Sequence, residues 1–262
     1  MEVSGAWFDE KLEYGVLPYC MIGDKIVRGR FHSTVRIICS TPPNDNIGVS
    51  LPVKVSLNGV DWIDSGFKYS YFIEPELLAV YPHSGPMTGG TDVFIQGDLF
   101  TNITDAQNAK CKFTLYGSDR VLRPKYMPLV YVNQTFVKCL SPNGFKGGEK
   151  VHIQITFNDN DYTPVKDNIS FRYYVIFENF PKSGPADGFD QTIVIKGAGL
   201  TTGQKVMCNI NNTDIAPVSI NDNFILCPMC LPNKDPEAIG PVKFNLMFDG
   251  SWNEFGEFYY YK

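Results

Sequence analysis

Three stretches of the chain alternate apolar and polar residues with a period of two and then run into a turn. They read V-K-V-S-L-N-G-V-D-W from Val53, V-H-I-Q-I-T-F-N-D-N-D-Y from Val151 and V-K-F-N-L-M-F-D-G-S-W from Val242. Period two places successive side chains on opposite faces of a strand. The Asn-Gly, Asn-Asp and Asp-Gly turn pairs tolerate the positive φ of a tight hairpin. Each stretch therefore predicts a hairpin whose return strand closes on aromatics, at Phe67-Lys68-Tyr69, Phe171-Arg172-Tyr173 and Phe258-Tyr259-Tyr260. No segment sustains i, i+3, i+4, i+7 apolar spacing, so helix is expected only as short turns and the fold class is all-β.

A second pattern sets the unit of repetition. Residues 80–100 read V-Y-P-H-S-G-P-M-T-G-G-T-D-V-F-I-Q-G-D-L-F, and residues 179–200 read N-F-P-K-S-G-P-A-D-G-F-D-Q-T-I-V-I-K-G-A-G-L. Both are an aromatic-Pro-x-Ser-Gly-Pro frame, a Gly-containing turn, an alternating strand and a Gly. Self-similarity at such a period indicates tandem copies of one β module. Gly97 and Gly197 end the alternating strands, and Gly5 is their counterpart near the start of the chain. An early cysteine (Cys20, Cys111, Cys208), a later one (Cys39, Cys139, Cys227) and the hairpin complete the phase. Three copies are expected, at residues 1–74, 75–175 and 176–262. The first lacks the Ser-Gly-Pro opening strand, which exposes an unpaired edge and part of its core. The expectation is that upstream residues of a longer chain fill the gap, with a strand donated by a neighbouring molecule as the alternative.

The Pro-x-Ser-Gly-Pro…Gly opening followed by Cys…Cys-x-x-Pro resembles the IPT/TIG family, the immunoglobulin-like domains of plexins, Met-type receptors, fibrocystins and some transcription factors. The third copy departs from the pattern at Gly188-Phe189-Asp190 and at Cys227-Pro228. The resemblance implies tandem immunoglobulin-like β-sandwiches arranged end to end, and it implies no particular ligand.

Composition agrees: aromatics make up 14% of the chain, with 23 Gly and 18 Pro to supply turns. The net charge of −5 comes without a basic patch, so nucleic acid is not an expected partner. No apolar run reaches the ~18 residues of a membrane span. The start Met1-Glu2-Val3-Ser4 is not a signal peptide, so either a signal has been removed or the chain begins inside a longer polypeptide.

Of seven cysteines, six fall into one in-phase pair per copy, which predicts disulfides Cys20–Cys39, Cys111–Cys139 and Cys208–Cys227. Buried free thiols in a cytosolic protein are the alternative. Cys230 is left over as a spare thiol, an interchain bridge, or a substitute partner for Cys208. Sequons at Asn102, Asn133, Asn168 and Asn211, combined with paired cysteines, predict a secreted or cell-surface glycoprotein carrying N-linked glycans.

Nothing in the chain forms a catalytic constellation. His32, His83 and His152 stand outside every nucleophile or metal-ligand motif and are expected on the surface. No catalytic residue, no metal site and no cofactor is expected. The turn Asn158-Asp159-Asn160-Asp161 offers oxygen ligands in sequence and is a weak candidate for Ca²⁺, lacking the Gly and distal Glu of an EF-hand. Asp187, Asp190 and Asp249 could contribute to such a site. Trp62, Tyr162 and Trp252 recur after the hairpins and are expected to pack in the core, with sugar stacking as the alternative. The functional expectation is an extracellular structural or adhesion protein within a cell-surface array or filament, contacting copies of itself or neighbouring domains of a longer chain. A ligand-binding receptor ectodomain is the alternative, and an intracellular DNA-binding protein a more distant one.

Overall fold

The computed structural model describes the chain apart from residues 7, 9–16, 101–107, 118–120, 187–190, 201–204, 211, 230–238 and 249–250, and apart from the side chains of 251 and 255. Every regular element among the described residues is a strand, as the period-two alternation predicts. The chain divides into two compact units. One is built on Met1–Glu74, and the other takes in Pro75–Phe100 and the described residues that follow to Lys262.

The first unit contains β1 (Glu2–Ser4), β2 (Tyr19–Ile22), β3 (Lys25–Ser33), β4 (Arg36–Cys39), β5 (Ser50–Ser56) and β6 (Ile63–Ser70), in the sheet order β1-β4-β3-β2-β5-β6. Strand β3 serves two layers. Lys25 to Arg28 pair with β2, whereas Gly29 to Ser33 pair with β4. The switch falls at Gly29, where a Cβ would lie 2.9 Å from Cys39 Sγ. Cys39 is bonded to Cys20, tying β4 to β2. Around that bond the core gathers Ile37 and Val55, with Val3, Phe8, Val27 and Leu57 packed against it.

The second unit holds two sandwiches. Its first part runs β7 (Glu76–Tyr81), β8 (Ser84–Pro86), β9 (Asp92–Asp98), β10 (Lys110–Tyr116), β11 (Lys125–Pro128), β12 (Val130–Asn133), β13 (Phe136–Leu140), β14 (Lys150–Thr156) and β15 (Ser170–Phe180). Strands β12-β13-β9-β7 form one sheet; β11-β10-β14-β15 form the other, and β8 lies parallel to β15. The opening segment therefore closes both layers, β7 on β9 and β8 on β15. Inward residues such as Val80, Ile95, Phe113, Val137, Ile153 and Phe171 are fully buried between the sheets, and Cys111–Cys139 joins them. Two sheets packed face to face in this way make an immunoglobulin-like sandwich.

The second sandwich follows with β16 (Ser183–Pro185), β17 (Thr192–Ala198), β18 (Val206–Ile210), β19 (Thr213–Ile215), β20 (Ser219–Ile220), β21 (Phe224–Pro228), β22 (Gly240–Phe248) and β23 (Ser251–Tyr261). Its sheets are β15-β17-β21-β20 and β16-β23-β22-β18-β19, bridged by Cys208–Cys227. The copies expected at 75–175 and 176–262 meet inside a strand rather than at a linker. Strand β15 runs through the boundary, its first half pairing with β14 and its second half with β17. One sheet is thereby continuous through both sandwiches.

Candidate functional site

The first unit and the two sandwiches of the second repeat the same backbone hydrogen bonds. Gly5, Gly97 and Gly197 each donate their N–H across a turn, to the carbonyls of Val35 (2.9 Å), Thr135 (3.0 Å) and Asn223 (2.8 Å). Three residues later Phe8, Phe100 and Leu200 donate to Thr34, Gln134 and Asp222. At Gly97 a Cβ would meet the Phe100 ring at 2.6 Å, which is why the position holds glycine. Farther along, Gly48 and Gly148 donate to the carbonyls of Tyr71 (2.8 Å) and Tyr173 (2.7 Å).

These bonds fix the equivalence of the closing strands and correct one alignment made from sequence. Tyr69 and Tyr71, rather than Phe67 and Tyr69, correspond to Phe171 and Tyr173. All three closing strands carry the same edge-on aromatic pair. Ring centroids are 5.0 Å apart for Tyr69–Tyr71, 5.2 Å for Phe171–Tyr173 and 5.1 Å for Phe258–Tyr260. An aromatic-x-Tyr spacing occurs twice in register, as Phe67-x-Tyr69 and Tyr69-x-Tyr71, so sequence could not choose between them. A bulge between Pro52 and Lys54 in the β5–β6 pairing shifts the frame.

The pairs differ in what covers them. In the second unit Phe171, Tyr173, Phe258 and Tyr260 are all buried. Gly85 of β8 sits directly on Phe171, where a Cβ would lie 2.7 Å from the ring. In the first unit Tyr69 and Tyr71 are only half-buried. Phe67 is 73% exposed, whereas Ile169 at the equivalent position is fully buried. Between β1 and β6 lies a groove of about 670 Å³, floored by Val53 and Val55 and flanked by Val3, Ile63, Phe67 and Tyr69. It occupies the place that β7–β8 fill in the middle sandwich. The Ser-Gly-Pro frame found at 84–86 and 183–185 has no counterpart within residues 1–74.

The remaining candidates fall in varied surroundings. Asn133 and Asn168 are exposed. Asn133 Oδ1 accepts the N–H groups of Thr135 (2.9 Å) and Phe136 (2.8 Å), while Asn168 Nδ2 donates to the Leu78 carbonyl (3.0 Å). Asn102, Asn211, Cys230, Asp187, Asp190 and Asp249 lie outside the described residues. In the turn at Asn158–Asp161, Asn158 Oδ1 accepts the N–H groups of Asn160 and Asp161, and its Nδ2 donates to Asp161 Oδ2 at 2.8 Å. Asn58 and Asp61 form the same turn in the first unit. Gly59 (φ 76°) and Asp159 (φ 61°) adopt the positive φ expected there. Asp159 is held by Lys110 (2.5 Å) and Tyr162 (3.0 Å), which lower its pKa below the usual carboxylate value. Its oxygens thus serve N–H and O–H donors within the fold.

Two expectations about side chains are corrected. His152 is buried, not on the surface: Tyr116 packs edge-on against its ring at 4.4 Å, covering the outer face of β14. The residues after the hairpins are not core. Trp252 is 49% exposed, and Tyr162 lies half-exposed under the Lys112 ammonium, 4.9 Å from its ring centroid. The Tyr162 hydroxyl is pushed up to about 12, first by burial and then by its bond to Asp159.

The family described as IPT/TIG domain matches residues 75–173 and 175–254, more than half of the chain. Among solved structures, a plexin A4 full extracellular region, domains 1 to 8, is similar at 12% identity and a TM-score of 0.34, covering 99% of this chain and 32% of that one. A second plexin A4 structure, domains 1 to 10, is similar at 12% identity and 0.38, covering 100% and 27%. The N-terminal Ig1-2 module of the Drosophila receptor protein tyrosine phosphatase DLAR is similar at 10% identity and 0.24, covering 72% and 100%. The chain thus spans 32% and 27% of the two plexin regions it matches. No curated protein sequence matches it.

Proposed function

The chain belongs to the IPT/TIG domain family, and from that premise we propose that it is a structural or adhesion segment of an extracellular array. Its three disulfides mark an extracellular or cell-surface protein, since such bonds persist in oxidising compartments. Domains of this kind are binding and structural modules. The reading treats residues 1–74 as a third module ahead of those at 75–175 and 176–262, with no enzymatic role and no cofactor. No helix among the described residues is long and apolar enough to cross a membrane.

One observation carries the structural part of the reading. Strand β15 belongs to both sandwiches of the second unit, so the junction has no flexible segment. The joint is further pinned by close backbone packing: a Cβ on Gly199 would lie 2.4 Å from the Tyr173 carbonyl and 2.6 Å from Gly148 N. Arg172 Nη2 also pairs with Asp222 (2.8 Å), and the Tyr174 hydroxyl donates to Asn253 Oδ1 (2.9 Å). Domains joined by ordinary linkers move relative to one another; these two are held at fixed spacing, as a load-transmitting or spacing element requires. Glycans on Asn102, Asn133, Asn168 and Asn211 would cover solvent faces and limit unwanted edge pairing.

Adhesion is tested by displaying the protein on beads. Clustering of coated beads, or their capture by cells bearing the chain, is the expected result. Beads that stay dispersed in both formats overturn the reading.

A further inference from the structure

We propose that a glycan on Asn133 is not a free arm in solvent: its first N-acetylglucosamine residues dock on the outer face of the sheet β12-β13-β9-β7, over Phe136 and Gln96. The occupant of this face is carried by the chain itself. The proposal rests on reading Asn133 as a glycan acceptor, and it names the surface that the glycan contacts.

The turn that joins β12 to β13 fixes where the sugar leaves the chain. Asn133 Oδ1 accepts the N–H groups of Thr135 and Phe136 and also the Thr135 hydroxyl (3.0 Å). Gly97 N–H of β9 donates to the Thr135 carbonyl and holds the turn in place. The last sandwich builds the same turn at Asn221, whose Oδ1 accepts the N–H groups of Asn223 (2.8 Å) and Phe224 (2.8 Å). Asn221-Asp222-Asn223 is not a sequon. The turn is therefore a structural device of the module, and the middle copy adds a glycan acceptor to it. Glycosylation substitutes Nδ2 and leaves the side-chain carbonyl intact, so the modified Asn133 keeps its turn bonds.

Register places an aromatic beside that exit. Asn133 stands opposite Phe136, Phe136 opposite Gln96, and Gln96 opposite Ala79. On β13 the buried Val137 and Cys139 alternate with Phe136, Lys138 and Leu140, which therefore lie on the outer face. Directly opposed residues have Cβ atoms about 5 Å apart, so the first sugar on Asn133 meets Phe136 before anything farther across the sheet. Neighbouring strands lie about 4.8 Å apart, so the second sugar reaches Gln96. The C–H face of a sugar ring suits the negative face of an aromatic ring. The Gln96 amide can both donate to and accept from an acetamido group. The next ring on this face, Phe94, is already capped by Lys138 Nζ at 5.9 Å, and Lys138 also pairs with Asp92. Among the described residues no cation stands over Phe136 in this way. Tethering selects the chain's own sugar over a free saccharide. A group held on a short link has an effective concentration of about a millimolar or more, enough to populate a stacking contact too weak to retain a free sugar.

The test uses the full chain secreted from eukaryotic cells with isotope-labelled glycans, and peptide mass spectrometry reads the occupancy of Asn133. The variant Thr135→Ala removes the sequon and leaves the Asn133 side chain in its turn, so the sugar resonances it lacks are those of Asn133. An N-acetyl methyl among them is expected to lie upfield of its position in the released glycan, because it sits over an aromatic ring. In Phe136→Leu, which keeps the apolar bulk and removes the ring, it is expected to return toward that position. Amide hydrogen exchange across residues 130–140 is expected to be about fivefold slower in the glycosylated chain than in both Thr135→Ala and the enzymatically deglycosylated chain. An occupied Asn133 whose methyl resonances match the released glycan, or exchange indifferent to the glycan, overturns the proposal and leaves the glycan assignment standing. An unoccupied Asn133 overturns both. Bead clustering is read independently of either outcome.

Discussion

Tyr173 shows how one side chain reports on the closure of a sandwich. It is fully buried, stacks on Phe145 at 5.0 Å and donates its hydroxyl to the Pro142 carbonyl at 2.8 Å. Burial pushes its pKa above the ordinary 10.0. Above about pH 10 the unfolded chain releases a proton that the folded chain retains, so this stabilisation is present at neutral pH and lost as pH rises. Tyr173→Phe is expected to flatten part of the alkaline limb of stability. At neutral pH it should cost about 1 kcal/mol, because the Pro142 carbonyl loses its donor. Urea unfolding of both proteins at neutral and alkaline pH checks the sign, and an unchanged alkaline slope counts against the assignment. The burial of Tyr173 follows from the Ser-Gly-Pro strand beside it. Sequence marked Tyr173 as a closing aromatic but could not show that its counterpart Tyr71 stays half-exposed.

Among the elements, β15 departs most from expectation. The alternation in Ser170–Phe180 reads as the end of one module, a short link and the start of the next. The structure makes it one strand with two partners, helped by a register shift between Ile176 and Glu178. Its neighbours Gly148 and Gly199 both have positive φ, 89° and 77°. Gly199→Ala places a Cβ against the Tyr173 carbonyl in a backbone region unfavourable to other residues, at a cost of about 1–3 kcal/mol. The expected outcome is a lower urea midpoint together with a broadened distance distribution between spin labels on the two sandwiches of the second unit. An unbroadened distribution with an unchanged midpoint would refute the role given to this junction. Sequence revealed the hairpins because their alternation and turn residues are local. It concealed the shared strand because strand partners are chosen across the fold.

For the molecule as a whole, the disulfides set the redox conditions in which it is stable. Each disulfide joins two strands that are not hydrogen-bonded to each other and closes a loop of 19, 28 or 19 residues. In the loop-entropy account each contributes about 3 kcal/mol. Reductant is therefore expected to lower the thermal midpoint substantially, and an unmoved midpoint would contradict the stapling role. Protein secreted from eukaryotic cells is expected to lose mass on glycosidase treatment, with Asn133 and Asn168 among the occupied positions. A mass equal to that of the bare chain overturns the glycan assignment.

Period-two alternation, turn pairs, cysteine phase and the repeated Ser-Gly-Pro frame were enough to define the fold class and the cysteine pairing. Each is a local pattern written along the strand or repeated at a fixed interval. The burial of His152, the exposure of Trp252, the register of Tyr69 and Tyr71 and the fusion through β15 depended on which edges meet and what lies over each face. Those are contacts between residues far apart in the chain, and one or two bulged residues are enough to change them. The groove of the first unit belongs to this second level as well, since its lining joins Val3 of β1 to Val53, Ile63 and Tyr69 of strands distant in the chain.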